Sequence, residues 1–155
     1  MANNAQDAFY PPVGFYFKIS IDGLPDAEFQ EVSGLTMSLD TITLNEGGEN
    51  RFAHTLPTRA KSEKLVLKRG LKVSSQLTDW CKKAIEDFSF SPKNIHVFLL
   101  DKGLSDSDSN PLVSWYIIHA YPVKWSVSNF NAMNNELAIE TIELQYQFFT
   151  KSFSQ

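Results

Sequence analysis

Hydrophobic and polar residues alternate along several short stretches of the chain, which is the pattern of strands that bury one face. In the first stretch, 15–21, Phe15, Phe17, Ile19 and Ile21 share one parity, and Tyr, Lys and Ser occupy the other. Further strands are predicted at 29–34, 36–44, 64–68, 94–100, 113–127 and 137–149. The chain is therefore predicted to be mainly β.

The last predicted strand changes parity partway along its length. Leu137 and Ile139 lie on one parity, whereas Ile142 and Leu144 lie on the other. A β-bulge inserts one residue and so restores a common face, as curved sheets often require. We therefore predict a bulge near Thr141.

One segment has helical periodicity instead. Its apolar residues recur at three- and four-residue spacing, and they are Leu77, Trp80, Cys81, Ala84, Ile85 and Phe88. Ser74 or Ser75 can cap the N-terminus, and Pro92 follows the end of the stripe. A single apolar stripe needs a sheet to cover it. The predicted fold is a small β-barrel or sandwich with this helix flanking it.

A long polar stretch interrupts the strand pattern at 45–60. A loop of this length in a compact domain indicates a functional role or ordering by a partner. Residues 1–11 are polar, and we expect them to form a flexible N-terminal arm. No linker or internal repeat divides the remaining sequence, so 1–155 is predicted to be one domain.

Composition excludes several classes of protein. The chain has 155 residues, a formal net charge of −4 and no cluster of Lys and Arg, so sequence-specific nucleic-acid binding is not expected. The one cysteine, Cys81, leaves no intramolecular disulfide to form. The N-terminal residues lack the apolar core of a secretion signal, and no apolar run is long enough for direct membrane insertion. We therefore expect folding in the cytoplasm.

Candidate chemistry is sparse. His54, His96 and His119 are scattered without ligand spacing, so structural roles are the simplest interpretation. The segment 106–110, DSDSN, starts like a calcium loop, but proline and isoleucine stand where such a loop needs Gly and Glu. Cys81 lies on the apolar helical stripe, and the acidic residues of the last strand have no assignable geometry. No catalytic residue, metal site or cofactor is predicted, and the chain is not expected to be an enzyme.

Several segments, in order along nearly the whole chain, resemble the tail-tube proteins of contractile phages and contractile injection systems. They are 12–19 PVGFYFKI, 29–35 FQEVSGL, 45–50 NEGGEN, 65–71 LVLKRGL, 77–80 LTDW, 120–125 AYPVKW and 135–144 NELAIETIEL. Each segment alone is weak, but their order and spacing make the resemblance specific. The same resemblance extends to the tube protein of type VI secretion.

The resemblance implies a structural protein that works by self-assembly. Six copies are expected to close into a ring, and the rings to stack into a hollow tube that a contracting sheath propels. The implied partners are further copies of the chain, a sheath protein, a baseplate hub or spike, and a tape-measure protein or other cargo in the lumen. Assembly is expected in the bacterial cytoplasm, and the finished particle in a virion tail, outside the cell, or anchored to a cell.

The resemblance also assigns roles to particular residues. Contacts between subunits are expected from the 45–60 loop and from the end of a strand, namely Asn45, Glu46, Gly47, Gly48, Glu49, Asn50, Lys68, Arg69 and Gly70. Polar residues of the last strand are expected to line the lumen, namely Glu140, Glu143, Gln145 and Gln147. The segment 68–70 is also compatible with a solvated strand end.

Two other classes of protein remain open from the sequence. A small β-barrel module that binds a ligand would have a discrete apolar pocket. An enzyme with an unrecognised site would bring titratable residues together in a cleft. Neither class explains the ordered set of family segments.

Overall fold

The computed structural model describes residues 15–25, 27–45, 47–48, 51–101, 111–130, 133 and 137–153, which form nine strands and one helix. In chain order these are β1 (Phe15–Ile21), β2 (Glu31–Ser33), β3 (Met37–Leu44), β4 (His54–Ser62), β5 (Leu65–Gly70), α1 (Gln76–Ile85), β6 (Lys93–Asp101), β7 (Val113–Val127), β8 (Ile139–Gln145) and β9 (Phe148–Phe153). The predicted class, mainly β with one helix, is confirmed. The predicted arm at 1–11 lies outside the described residues.

Seven strands form one antiparallel sheet in the order β1-β6-β7-β8-β5-β2, with β9 also paired to β7. The long strand β7 joins two halves of this sheet. Its first half pairs with β6 and β9, and its second half pairs with β8. In the part of the chain that the structure describes, β1 and β2 are end strands that do not meet, so the sheet is open and not a closed barrel. The strands β3 and β4 form a separate two-stranded sheet.

The core lies between the two halves of the sheet and α1. Its fully buried apolar side chains include Ile19, Leu65, Leu67, Cys81, Ile95, Ile117, Ile142 and Leu144. Each large side chain of this kind contributes ~1.5–3 kcal/mol by leaving water. Ser75 caps α1, because its Oγ accepts a hydrogen bond from the Leu77 N–H at 3.2 Å. The buried Trp80 then ties the helix to the following loop, since its Nε1 donates to the Ser91 carbonyl oxygen at 2.8 Å.

The helix ends earlier than its apolar stripe predicts. It stops at Ile85, and Phe88 has a left-handed backbone with φ of 52° and a side chain that is 81% exposed. Phe88 stacks edge-on against Phe90, with ring centroids 4.9 Å apart. The prediction that Phe88 extends the buried stripe is therefore wrong, because the chain turns away from the helix before reaching it.

The predicted bulge near Thr141 is also wrong. Thr141 pairs with Lys68 on one side and Ser126 on the other in unbroken register. The predicted strand 137–149 is instead two strands, β8 and β9. The apparent change of parity arises because a charged residue, Glu140, occupies a core position on β8. The irregularities of the seven-stranded sheet lie in β7, one of them at His119, whose backbone φ is 51° and whose N–H donates to Asn94 Oδ1 at 3.1 Å.

The connection between β3 and β4 is shorter than the predicted 45–60 loop, because part of that segment is a strand. Strand β4 begins at His54 and pairs antiparallel with β3, from Leu44↔His54 to Met37↔Ser62. The two strands and their turn form a long hairpin. Only 45–53 is left to connect them, and within it Glu46, Glu49 and Asn50 lie outside the described residues.

Candidate assembly surfaces

The hairpin formed by residues 37–62 packs extensively on no other strand or helix of the described chain. Every side chain of β4 is exposed except Ser62, and every side chain of β3 is exposed except Asp40. A two-stranded hairpin is at best marginally stable in water by itself. This segment therefore has the properties of a surface that another molecule covers.

Both faces of the hairpin carry apolar side chains, at different distances from the body of the protein. On one face, near the body, Met37 and Leu39 are each 64% exposed, beside Ala60 across the strand pair; we call these three residues the proximal patch. On the opposite face, towards the turn, Ile42, Leu44 and Leu56 form the distal patch, with Ile42 directly across from Leu56. Contiguous exposed apolar surface of this kind marks a site of protein association.

The base of the hairpin is fixed to the sheet at Gly34. This residue has φ of +90°, and a Cβ atom there would lie 1.8 Å from the Lys64 carbonyl oxygen, so only glycine fits. The Tyr146 hydroxyl donates to the Gly34 carbonyl oxygen at 3.2 Å. Burial raises the pKa of the Tyr146 hydroxyl. The hairpin therefore leaves the body at a defined point.

Three of the predicted interface residues of the loop are described, and they lie at the tip of this hairpin. Asn45 is exposed directly after β3, and Gly47 and Gly48 form a turn in which Gly48 has φ of +107°. Glu46, Glu49 and Asn50 lie outside the described residues. Sequence reasoning pointed to the segment that forms the tip but missed the two apolar patches below it. The apolar residues of both parities in 36–44 were the signal that could have revealed them.

The three predicted interface residues on β5 do not share one environment. Lys68 is on the exposed face, where its Nζ contacts both carboxylate oxygens of Glu31 at 2.9 Å. Gly70 ends the strand with open space where a Cβ would lie. Arg69 points to the opposite face and is 1% exposed. A role for the Arg69 side chain at a surface is therefore excluded, because its guanidinium lies inside the protein.

A buried polar network surrounds Arg69. Its Nε donates to Glu140 Oε2 at 2.5 Å, and its second guanidinium nitrogen donates to Thr78 Oγ1 at 3.2 Å. The other carboxylate oxygen of Glu140 accepts from Thr78 Oγ1 at 3.1 Å and from Trp125 Nε1 at 2.6 Å. The network joins β5, β7, β8 and α1. Nearby, burial raises the pKa of the Cys81 thiol to about 12, with Glu140 adding to the shift.

The predicted lumen residues also divide between the two faces of β8. Glu140 is completely buried, so the prediction that it lines a lumen is wrong: its carboxylate is the acceptor of the internal network. Glu143 and Gln145 point to the other, accessible face of the sheet, and Gln147 is exposed between β8 and β9.

The accessible face of the half-sheet β2-β5-β8-β7 carries paired charges. Glu143 contacts Lys124 at 3.1 Å and Lys64 at 3.4 Å, while Lys68 pairs with Glu31. The hydrogen bond from Lys124, reinforced by Lys64, lowers the pKa of Glu143. We call this surface the polar sheet face. Its charges are close to balanced, so it does not present a strongly acidic or basic field.

The same half-sheet has two unpaired edges among the described residues. β2 pairs only with β5, and the second half of β7, from Tyr121 to Val127, pairs only with β8. Unpaired edges present free backbone N–H and C=O groups that another strand can extend. The two edges lie on opposite sides of the half-sheet.

The described residues offer less evidence for a catalytic or ligand-binding site than for a protein-association surface. Within the described ranges no group of three His, Cys, Asp or Glu side chains could hold a metal ion. A cleft beside the start of α1 is lined largely by polar residues, among them Lys72, Ser75 and Gln76, unlike the apolar pocket of a ligand-binding module. No helix in the described part of the chain is long and apolar enough to cross a membrane.

An exposed apolar hairpin, free strand edges and a stable sheet define a structural subunit that associates with other proteins. The chain belongs to the family of the T4-like virus tail tube protein gp19, whose model matches residues 13–150. The family is structural, so the chain is a tail tube protein and not an enzyme. The ligand-binding alternative is not favoured.

Solved structures agree with this assignment. The chain is 30% identical to a protein in the cryo-EM structure of the anti-feeding prophage (AFP) baseplate, over 93% of this chain and 97% of that one, with a TM-score of 0.80. It is 25% identical to a protein in the extended PVC sheath-tube complex of an extracellular contractile injection system, over 99% and 100%, with a TM-score of 0.79. Hcp1 from Flavobacterium johnsoniae shares the fold at 16% identity, over 89% and 95%, with a TM-score of 0.60. A comparison with the curated proteins gives no match.

Proposed function

We propose that this protein forms hexameric rings that stack into the rigid inner tube of a contractile injection system or phage tail. The observation that carries the proposal is the exposed hairpin in a chain whose family is the tail tube proteins. Relatives occur in a six-fold symmetrised baseplate and in a sheath-tube complex, which supports the same kind of assembly here.

The ring joint in this proposal uses the two free edges of the half-sheet. The β2 edge of one copy extends the β7 edge of the next copy, so that a single sheet continues around the ring. Such head-to-tail contacts are heterologous and close into a ring when the rotation between copies is right. Burial in the joint removes the hazard that free edges otherwise create.

The polar sheet face lines the lumen in this arrangement. Glu143 and Gln145 lie on that face, and Gln147 lies at its rim. The pairing of Glu143 with two lysines leaves the wall near neutral, so a polyanion or a protein passing along it is neither held nor strongly repelled. Cargo or a tape-measure protein therefore fits the lumen without a specific binding site.

The remaining partners act on the outside and ends of the tube. A sheath protein surrounds the tube and a baseplate hub or spike meets its end, as the assemblies that contain the relatives indicate. The subunit is made in the bacterial cytoplasm and ends in a virion tail, an extracellular particle or a cell-anchored apparatus. Contraction of the sheath would drive the tube and its contents into a target.

Negative-stain electron microscopy of the purified protein, at low and high concentration, tests the assembly. Six-fold rings or hollow tubes are expected. Monomers at every concentration, including after addition of a purified baseplate from the same system, would contradict the proposal.

Cysteine labelling tests the lumen. A Gln145→Cys variant is expected to react with a small maleimide both as a monomer and in tubes, but with a protein-sized maleimide conjugate only as a monomer. Equal labelling of tubes by the large reagent would place this face outside the lumen.

A further inference from the structure

The charged side chains of the polar sheet face alternate in sign from strand to strand. Lys124 lies on β7, Glu143 on β8, Lys68 on β5 and Glu31 on β2, and these four strands are neighbours in that order. Glu143 is directly opposite Lys124, and Lys68 is directly opposite Glu31. Val66, two residues from Lys68, is the partner of Glu143, so all four charges share one face. Across the half-sheet the signs therefore run positive, negative, positive, negative.

The carboxylate in the interior of this half-sheet has a lysine on each side. Glu143 contacts Lys124 at 3.1 Å and Lys64 at 3.4 Å, and its side chain is 20% exposed. Glu31, at the β2 edge, contacts one lysine among the described residues, Lys68 at 2.9 Å, and its side chain is 52% exposed. Glu31 thus repeats the arrangement of Glu143 with one lysine missing, on the side where β2 has no neighbouring strand.

The opposite edge of the half-sheet carries a matching lysine. Lys124 stands on the half of β7 that pairs only with β8, and its side chain is 59% exposed. An ammonium group has three donors, so Lys124 can bind a second carboxylate besides Glu143. Within one chain the two edges are about 14 Å apart, because three strand spacings separate them. Glu31 and Lys124 each pair with the adjacent strand there and not with each other.

We infer that Glu31 of one copy pairs with Lys124 of the next copy across the ring joint, so that the alternation of charge continues around the lumen. This step rests on the proposed function, which joins the β2 edge to the β7 edge. Each joint then supplies the second lysine that Glu31 lacks in the single chain.

The strand register is compatible with this contact. Ser33 lies in the same row of the sheet face as Lys124, and Ser126 lies in the same row as Glu31. If the rows of two copies meet level, Glu31 and Lys124 are diagonal neighbours about 7–8 Å apart, which long side chains span. A stagger of one row, of the kind that closed sheets use, places the two residues directly opposite each other.

The same charges also select which edges pair. Two β2 edges would bring Glu31 against Glu31, and two β7 edges would bring Lys124 against Lys124. Like charges on facing strands are destabilising, whereas the β2–β7 pairing brings opposite charges together. The charge pattern therefore favours a head-to-tail ring over a two-fold dimer joined through like edges.

Charge reversal tests the pair through assembly. Glu31→Lys or Lys124→Glu places like charges at every joint, and each is expected to raise the protein concentration at which half of the subunits sediment as rings or tubes about tenfold or more. The double variant Glu31→Lys with Lys124→Glu restores opposite charges, and that concentration is expected to return to within about threefold of the unmodified value. Inside each chain the double variant keeps both new repulsions, with Lys68 and with Glu143, so a contact between copies is what its recovery measures.

The matched control is Lys64→Glu. Lys64 also contacts Glu143, but it directly precedes β5, which has a strand on each side, so assembly is expected to be unchanged. The side chains of Glu31, Lys64 and Lys124 are each more than half exposed, so all the variants are expected to fold.

Cross-linking tests the contact directly. In a variant with Glu31→Cys and Lys124→Cys, at high protein concentration, a short bis-maleimide is expected to give a ladder of covalent multimers that ends at the hexamer on a denaturing gel. Either cysteine alone is the control, since it can give no product larger than a dimer. The buried Cys81 is not expected to react.

The outcomes distinguish this inference from the proposed function. Single variants that assemble like the unmodified protein, a double variant that assembles no better than the single ones, or rings that give no ladder would each overturn the ion pair and leave the tube subunit intact. An unmodified protein that never forms rings would overturn both.

Discussion

The buried ion pair between Arg69 and Glu140 gives the sharpest prediction about this protein. Glu140→Gln keeps the shape of the side chain but removes its charge. The amide also replaces one acceptor oxygen with a donor, in a site where the guanidinium, the Thr78 hydroxyl and the Trp125 indole all approach as donors. The variant therefore leaves Arg69 buried without a counter-charge and at least one donor without an acceptor.

The expected loss of unfolding free energy is large. Breaking one partner of a buried ion pair typically costs ~3–5 kcal/mol, because the remaining charge stays buried. A domain of this kind has ~5–15 kcal/mol of stability in total. Glu140→Gln is therefore expected to remove a fifth or more of the stability.

Urea unfolding followed by tryptophan fluorescence measures this loss, at a protein concentration where the chain is monomeric. Trp125 bonds directly to Glu140, so its emission also reports the local change. The matched control is Glu143→Gln, the same substitution on the same strand but on the accessible face, where the ion pairs are worth less than ~1 kcal/mol. Glu140→Gln and Glu143→Gln giving equal losses would refute the reasoning.

A paired replacement tests the mechanism further. Arg69→Met combined with Glu140→Leu removes both charges and fills the space with apolar groups. Such replacements of a whole buried pair are often neutral or stabilising, although Thr78 and Trp125 lose their acceptor. The double variant is expected to be more stable than Glu140→Gln alone. A double variant that is less stable would show that the network contributes more than charge compensation.

Three other predictions follow from single positions. Gly34→Ala places a Cβ 1.8 Å from a backbone oxygen at φ of +90°, so we expect the unfolding free energy to fall by ~3 kcal/mol and the Tm by about 6–12 °C in calorimetry. The control is Gly47→Ala, whose Cβ would meet no atom within 4 Å and which is expected to change the Tm little. The pKa of Cys81, raised to about 12, leaves a thiolate fraction of ~1 in 10⁴ at about pH 8, so a thiol reagent is expected to react only after unfolding, and fast reaction in the native state would contradict the burial. The Lys124 hydrogen bond lowers the pKa of Glu143 below its ordinary 4.5, so the small contribution of Glu143 to folding stability is complete above that value and is lost as pH falls through the folded pKa. The difference in urea midpoint between the unmodified protein and Glu143→Gln is therefore expected to shrink between about pH 6 and about pH 3. An unchanged difference would count against the ion pairs.

Local periodicity was enough to predict the elements that have one buried face. The alternation at 15–21 matches β1, and the helical stripe with Ser75 before it matches the capped start of α1. In both cases the information lies within a few residues, because burial repeats with the period of the element itself. The end of α1 could not be placed, because Phe88 keeps the apolar spacing although the backbone has already turned.

Strand β4 could not be predicted by the same reasoning. Its sequence HTLPTRAKS is exposed on both faces and contains Pro57, so it shows neither alternation nor continuous hydrophobicity. It is a strand because β3 pairs with it across the turn. Likewise, Arg69 and Glu140 are 71 positions apart, and no local pattern shows that two charged residues will neutralise each other in the core.

The candidate site was predicted in outline only. The resemblance implied a long inter-subunit loop at 45–60, and the structure places its described residues Asn45, Gly47 and Gly48 at the tip of a hairpin. Their contact with another subunit stays a prediction. The distal patch was missed because Ile42 and Leu44 have opposite parity to Met37 and Leu39, which reads as a broken strand. Because both faces of the hairpin are exposed, apolar residues of opposite parity indicate one contact surface on each face.

The pairing of β7 has a mechanical consequence. A tube that is driven through an envelope transmits an axial force through each subunit in turn. The fifteen-residue strand β7 pairs with β6 and β9 in one half of the sheet and with β8 in the other, so a load on either half is carried in shear by many backbone bonds at once. The base of the hairpin at Gly34 has no comparable reinforcement. Under excess load the subunit is therefore expected to give way first at the base of the hairpin, and the sheet to survive intact.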